Sequence, residues 1–227
     1  MKRSFKIHFA EKHLLIHDSN NVILIDTGSP QTIHTSRTLE FLGKQYGVTT
    51  NAMGSTIANL KEMAGIEFTT LMGLDILSEY NIILDYANEE ITFCSIDEPM
   101  PSGISCNFNS MLPMISIPVT VAGQSRQLIV DTGATTSYIN SATTRGMTPA
   151  ATITDFSPLL GGQFSTPVFN LESTFLGKTF TCTFGNLPAA MEAMINLLGA
   201  EGVIGYDLLK SFKLLISCPR NQITLLN

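Results

Sequence analysis

No Cys-x-x-Cys pair occurs among the four cysteines, Cys94, Cys106, Cys182 and Cys218, which leaves zinc and thioredoxin-type chemistry without support. Reduced, mostly buried thiols are the expectation, and the even count leaves an oxidised pair open. No HExxH, GxSxG, P-loop or GxGxxG motif occurs either, so metalloprotease, serine-hydrolase, phosphate-loop and dinucleotide chemistry lack their usual carriers. No apolar run reaches 18 residues, and no membrane span is expected. The start, MKRSFKIHFAEKH, has no long apolar stretch behind its basic residues. A signal peptide is therefore not expected, and the default location is cytoplasmic, or periplasmic or secreted if a leader has been removed. Positive charge is scarce: 13 Lys and Arg against 19 Asp and Glu give a net charge of −6 and a pI near 5.1. That balance argues against nucleic acid or an anionic membrane as the main partner. With 227 residues, 44% of them hydrophobic, the chain can fill the core of one large domain or two small ones.

What the sequence does have is one pattern written twice. VILIDTGSP (22–30) runs an apolar strand into Asp26-Thr27-Gly28, and QLIVDTGAT (127–135) repeats this at Asp131-Thr132-Gly133, 105 positions on. A carboxylate ending so apolar a strand is costly unless it is paired or hydrogen-bonded. After each copy comes FLGK, in FLGKQY (41–46) and FLGKTF (175–180). An amphipathic, helix-like stretch ending at glycine follows, 55–65 and 186–199. Next comes an apolar pair and a glycine, LMGLDIL (71–77) and VIGYDLL (203–209). From that glycine the halves align without a gap for 21 residues, 73–93 against 205–225. Strand-like runs such as FKIHF, HLLIH, ISIPVTV and VFNLESTFL fill the rest. The class read from this is mostly β with a few short helices, in two pseudo-two-fold-related lobes, 1–96 and 106–227. The Pro-, Gly- and Ser-rich DEPMPSGIS, 97–105, would link them.

The halves differ in one place. Asp26 and Phe41 are 15 residues apart, whereas Asp131 and Phe175 are 44 apart. The extra length lies between the Asp-Thr-Gly turn and an expected FLGK strand, and it contains SPLLGGQFSTP, 157–167. Its Gly-Gly flanked by apolar residues reads as a β-hairpin. It is a candidate flap over substrate, with Leu160, Gly161, Gly162, Gln163 and Phe164 at its tip.

A carboxylate on a sharp turn can be held rigidly, with backbone N–H groups aimed at it and glycine leaving those donors unblocked. The threonine hydroxyls, Thr27 and Thr132, can cross-link two such turns if they face each other. Asp26 and Asp131 would then meet. Two carboxylates that close share a proton and titrate as a pair, one acting as base and the other as acid; the aspartic-protease dyad is the standard example of this effect. Such a pair can activate water for attack on a peptide carbonyl and pass the proton to the leaving nitrogen, with no metal, cofactor or covalent intermediate.

These motifs are similar to those of the retropepsin-type aspartic peptidases, and specifically of the bacterial aspartyl protease families with retropepsin-like lobes. The resemblance rests on VILIDTGS, LMGLDIL and ILDYANEEITF in one half and on LIVDTGA, VIGYDLL and NQITLL in the other, and it spans nearly the whole chain. It implies a pepsin-like arrangement of two fused β-barrel lobes with a cleft between them. It also implies an aspartic endopeptidase with Asp26 and Asp131 as catalytic residues, Thr27, Gly28, Ser29, Thr132, Gly133 and Ala134 supporting them, and an extended peptide or protein as substrate. The departures from the family are a single flap, on the second half, without a tyrosine. The family's hydroxyl after the glycine favours ionisation of its aspartate; with Ser29 in one copy and Ala134 in the other, the resemblance implies that Asp26 is the more readily ionised, with an optimum from mildly acidic to neutral pH.

A single Asp-Thr-Gly could be a plain strand-ending turn, and fold alone does not grant activity. A peptide-binding or assembly module with little turnover is therefore the alternative. Asp75 and Asp207, two residues after the conserved-position glycines, read as caps of a short helix, and Asp85, opposed by Ser217 in the alignment, reads as structural. His8, His13, His17 and His34 have no ligand pattern around them and are expected on strand surfaces. A monomer is expected, with further pairing through a sheet edge left open.

Overall fold

Turn chemistry sets the hairpins of the computed structural model, which describes residues 1–52, 54–108 and 114–226. The pairs Glu11–Lys12, Leu42–Gly43, Ala122–Gly123 and Leu176–Gly177 all have positive φ, the conformation that fits a two-residue turn to the twist of its strands. FLGK is thus a turn and not the expected strand: Phe41 pairs with Lys44, and Phe175 with Lys178, across it. Glycine takes the left-handed conformation at little cost, while Phe41 and Phe175 become fully buried.

Four short helices interrupt the strands among the described residues: α1 (Ile57–Ala64), α2 (Leu74–Leu77), α3 (Ala189–Leu197) and α4 (Tyr206–Leu209). α1 carries a capping box in which Thr56 and Asn59 satisfy each other's backbone N–H, and it ends at Gly65 in the left-handed conformation. None of the helices is long and apolar enough to cross a membrane. The four cysteines are free thiols, Cys94 and Cys182 buried, Cys106 and Cys218 half-buried.

Each half builds its Asp-Thr-Gly turn the same way. The strand Asn21–Ile25 runs parallel to Thr70–Met72, which also pairs with Ile33–His34 from beyond the turn. In the second half Gln124–Val130 runs parallel to Gly202–Ile204, which pairs with Ser137–Ile139. These belong to a five-stranded and a seven-stranded sheet respectively. The longer sheet takes in the insert as a hairpin, Ala151–Ser157 against Gly162–Phe175, turned by a 3-10 segment at Pro158–Leu160 and Gly161 at φ +68°.

A third sheet, of six strands, is shared. Its order is Lys2–Lys6, Glu90–Cys94, Asn81–Asp85, then Lys213–Ser217, Gln222–Leu226, Ile104–Asn107. The alignment that carries residue 73 to 205 carries Ile83 to Leu215, and these two face each other across the central pair. The local two-fold axis passes between them. Burial alone would raise the pKa of Asp85, but its bonds from Asn88 and its contact with Lys213 at 2.9 Å hold the carboxyl below the usual range. The strand Ile104–Asn107 pairs with Gln222–Leu226, and the segment between Cys94 and Ile104 joins the halves. One apolar core, which includes Phe5, Phe41, Phe93, Phe175 and Phe184, runs through both halves.

Candidate active site

Both Asp-Thr-Gly turns meet at the junction of the halves. Thr27 N–H donates to Thr132 Oγ1 at 3.0 Å, and Thr132 N–H donates to Thr27 Oγ1 at 3.1 Å. Each hydroxyl in turn donates to the carbonyl before the opposite aspartate: Thr27 to Val130 and Thr132 to Ile25, both at 2.7 Å. With both threonines buried, these four bonds fix the two turns against each other.

The carboxylates of Asp26 and Asp131 are thereby held within hydrogen-bonding reach of each other. Glycine has a second reason here beyond freeing N–H donors. A Cβ on Gly28 would overlap the Asp131 carboxyl, and one on Gly133 would lie 2.6 Å from Asp26 Cγ. Each glycine makes room for the other half's carboxylate. The later glycines wedge beneath the turns: Leu74 N–H donates to the Ser29 carbonyl at 2.8 Å and Tyr206 N–H to the Ala134 carbonyl at 2.9 Å. A Cβ on Gly73 or Gly205 would meet the backbone of residues 29–31 or 134–136 at under 3 Å.

Burial raises both carboxyl pKa values. For Asp26 the neighbouring Asp131 charge raises it further, well above the usual range. Asp131 Oδ1 accepts the N–H groups of Gly133 and Ala134 at 2.9 and 3.0 Å, which favours its ionised form. Asp26 likewise has backbone N–H groups directed at it, from Gly28 at 2.9 Å and from Ser29. Ser29, expected to assist Asp26, directs its hydroxyl to the Gln31 carbonyl at 2.8 Å instead. Both turns thus aim backbone N–H groups at their own aspartate, and the two buried carboxyls titrate as a pair sharing a proton.

Asp75 and Asp207 are not the N-cap residues, although Asp75 Oδ1 accepts the Ile76 N–H in the first turn of α2 at 3.0 Å. α2 and α4 have Gly73 and Gly205 at their N-caps. Asp75 accepts from Thr32 Oγ1 and N at 2.6 and 3.0 Å, bracing the loop behind Asp26. Asp207 pairs with Lys12 of the other half at 3.2 Å. His8 and His17 are on the surface as expected, but His34 is buried, its Nδ1 bonded to Thr69 and Thr70. His13 is also buried, at 4% exposure, and lines the cleft. It bonds to the backbone of Gly133 and packs on Phe156 at 6.1 Å between ring centroids, while its Nδ1 has no partner. Burial lowers its pKa against the opposing pull of Gly133, Asp155 and Glu11.

The cleft above the dyad has a volume of about 470 Å³. Leu24, Ile33, Leu60, Phe68 and Leu71 form its first-half wall, and Tyr138, Phe164, Met191, Met194 and Val203 form the second. Of the five residues expected at the flap tip only Phe164 lines it; Asp155, Phe156 and Ser157 on the facing strand and Pro158 in the turn do so as well. Ser157 and Pro158 fall within the expected hairpin, whereas Asp155, Phe156, His13 and the rest of the wall were missed in the sequence. Tyr138 alone had a signal, since it stands seven residues after Asp131 as Ile33 does after Asp26. No group of His, Cys, Asp and Glu among the described residues could hold a metal ion.

No curated protein matches the chain. A retropepsin-like aspartic protease from Rickettsia conorii is similar at 16% identity, covering 55% of this chain and 89% of its own, with a TM-score of 0.40. That likeness is too distant to assign anything here. Residues 117–208 match the family model described as aspartyl protease, a segment that holds Asp131-Thr132-Gly133 and Gly205. The second half of the chain thus carries the aspartyl protease pattern, within a mostly β fold.

Proposed function

We propose that the chain is an aspartic endopeptidase in which Asp26 and Asp131 together activate water. The observation that carries this is the reciprocal Thr27–Thr132 bonding, which brings the two carboxyls together from opposite halves. Asp131, ionised, takes a proton as the water oxygen attacks the peptide carbonyl carbon. Asp26 gives its proton to the carbonyl oxygen, forming a neutral tetrahedral diol. As the C–N bond breaks, the proton on Asp131 moves to the leaving nitrogen and a diol proton returns to Asp26. The products are a carboxylic acid and an amine, and both aspartates regain their starting states.

An extended peptide can lie in the cleft with its side chains against the two apolar walls, and the hairpin of the second half, 151–175, serves as the single flap. The decisive test is cleavage of a diverse peptide library from pH 3 to 8, with and without pepstatin. Cleavage that disappears in Asp26→Asn and in Asp131→Asn is expected. Peptide binding without cleavage at any pH would replace this reading with a binding module.

A further inference from the structure

Outside the dyad, one carboxylate lining the cleft, Asp155, has no counter-ion among the described residues. Asp155 accepts the Tyr138 hydroxyl and the Phe156 N–H, the latter at 2.8 Å, and both donors are neutral. Among the described residues no Lys or Arg forms an ion pair with Asp155, and none lines the cleft. The neighbouring imidazole, His13, is kept neutral near pH 7 by its burial. A half-buried anion with neutral donors alone retains free acceptor capacity, and a cation is the ligand that uses it best.

The second-half side of the cleft, where Asp155 lies, is largely apolar. Phe164 stands across the hairpin from Asp155, and Tyr138, which donates to it, packs in one cluster with Phe164, Met191, Met194 and Val203, all of which line the cleft. Lys and Arg match such a passage, since their stems pack on apolar surface while the charged head reaches for an anion. Flexible methionines can adapt to either stem. The first half offers nothing equivalent: Ile33 replaces Tyr138, and Leu24, Leu60, Phe68 and Leu71 complete a wall without charge.

We propose that Asp155 is a specificity-determining residue that selects a Lys or Arg side chain of the substrate on the second-half side of the cleft, with an apolar side chain taken on the other. This deepens the peptidase reading and rests on it for the cut, but not for binding. The test uses peptides that differ at one scanned position, carrying Lys, norleucine or Glu. Kd is measured with the Asp26→Asn chain and kcat/KM with the unaltered chain. At one position Lys should be preferred over norleucine by about tenfold, the scale of a hydrogen bond to a charged group. Glu should be disfavoured, and the Lys-to-norleucine ratio should fall toward one in Asp155→Asn. Equal binding of the three peptides at every position overturns the proposal without any variant, and so does a ratio that Asp155→Asn leaves unchanged. Cleavage without a basic preference overturns this proposal alone. An Asp155-dependent preference in Kd with no cleavage by the unaltered chain upholds it and overturns the peptidase reading.

Discussion

Replacing Thr27 by Val keeps the shape of the side chain and removes the hydroxyl from the junction of the halves. Two bonds disappear: the Thr132 N–H loses its acceptor at 3.1 Å, and the Val130 carbonyl loses its donor at 2.7 Å. Thr27 is 1% exposed and Thr132 2%, so water cannot take their place without opening the junction. A buried polar group left without a partner costs roughly 1–3 kcal/mol, and two of them give a loss of roughly 2–6 kcal/mol. For a chain of this size that is a fall of about 4–24 °C in Tm. Thr27→Ser is the informative control, because it keeps both bonds and removes one methyl group, worth about 0.8 kcal/mol. Urea unfolding of the two variants beside the unaltered chain measures the difference directly. If Val and Ser at position 27 cost the same within about 1 kcal/mol, the hydroxyl network does not hold the turns together, and the account of how the aspartates meet fails with it.

The aspartates themselves should show opposed effects on activity and stability. Asp26→Asn should reduce any hydrolysis by roughly 10²–10⁴-fold or more, yet stabilise the fold at neutral pH. The Asp26 carboxyl has a raised pKa, so the stability tied to its protonated form is present at low pH and lost as pH rises through the folded-state value. The gain in the variant should therefore shrink toward pH 4, and a gain that does not depend on pH would contradict the assignment of the proton. His13 works in the other sense: its pKa is lowered, so the unfolded chain binds the proton more readily and stability falls as pH drops below about 6.5. His13→Gln should flatten unfolding midpoints between pH 7.5 and 5.5, and an unchanged slope would show that the imidazole titrates freely. Gly133→Ala should cost roughly 1–3 kcal/mol, the scale of overpacking, and abolish activity. Gly162→Ala, where a Cβ meets nothing within 4 Å, should fold as stably as the parent by calorimetry.

The parts of the site that could be read in the sequence are those that the backbone alone defines. Asp-Thr-Gly and the later glycine each mark a place where chain must approach chain, and two copies in one order imply a partner for each. What escaped depends on which second surface covers a residue. The strand His13–Asp18 is buried at every position but His17: Leu14 and Ile16 face the main core, Leu15 packs with Leu60 and Phe68, and only His13 is covered by the other half. Its alternation therefore gives no warning that His13 lies against Gly133. The Ser29 hydroxyl had a choice of acceptors, and the nearby Gln31 carbonyl won over the carboxylate. FLGK looked like strand by its flanking aromatics, but its glycine had already fixed a turn.

The central pair of the six-stranded sheet has a further consequence. Its register sets Asp85 against Lys213 and Asn81 against Ser217. Two copies of the first-half strand related by the same axis would instead place Asp85 beside Asn81, and two copies of the second would place Lys213 beside Ser217. Neither like pairing supplies the opposite charge. The two central strands therefore favour their own chain's other half over a like half of a second molecule. Because the two halves are covalently one molecule, their encounter is first-order. Where identical subunits share a site between them, dilution dismantles it; here the distance between Asp26 and Asp131 is independent of protein concentration.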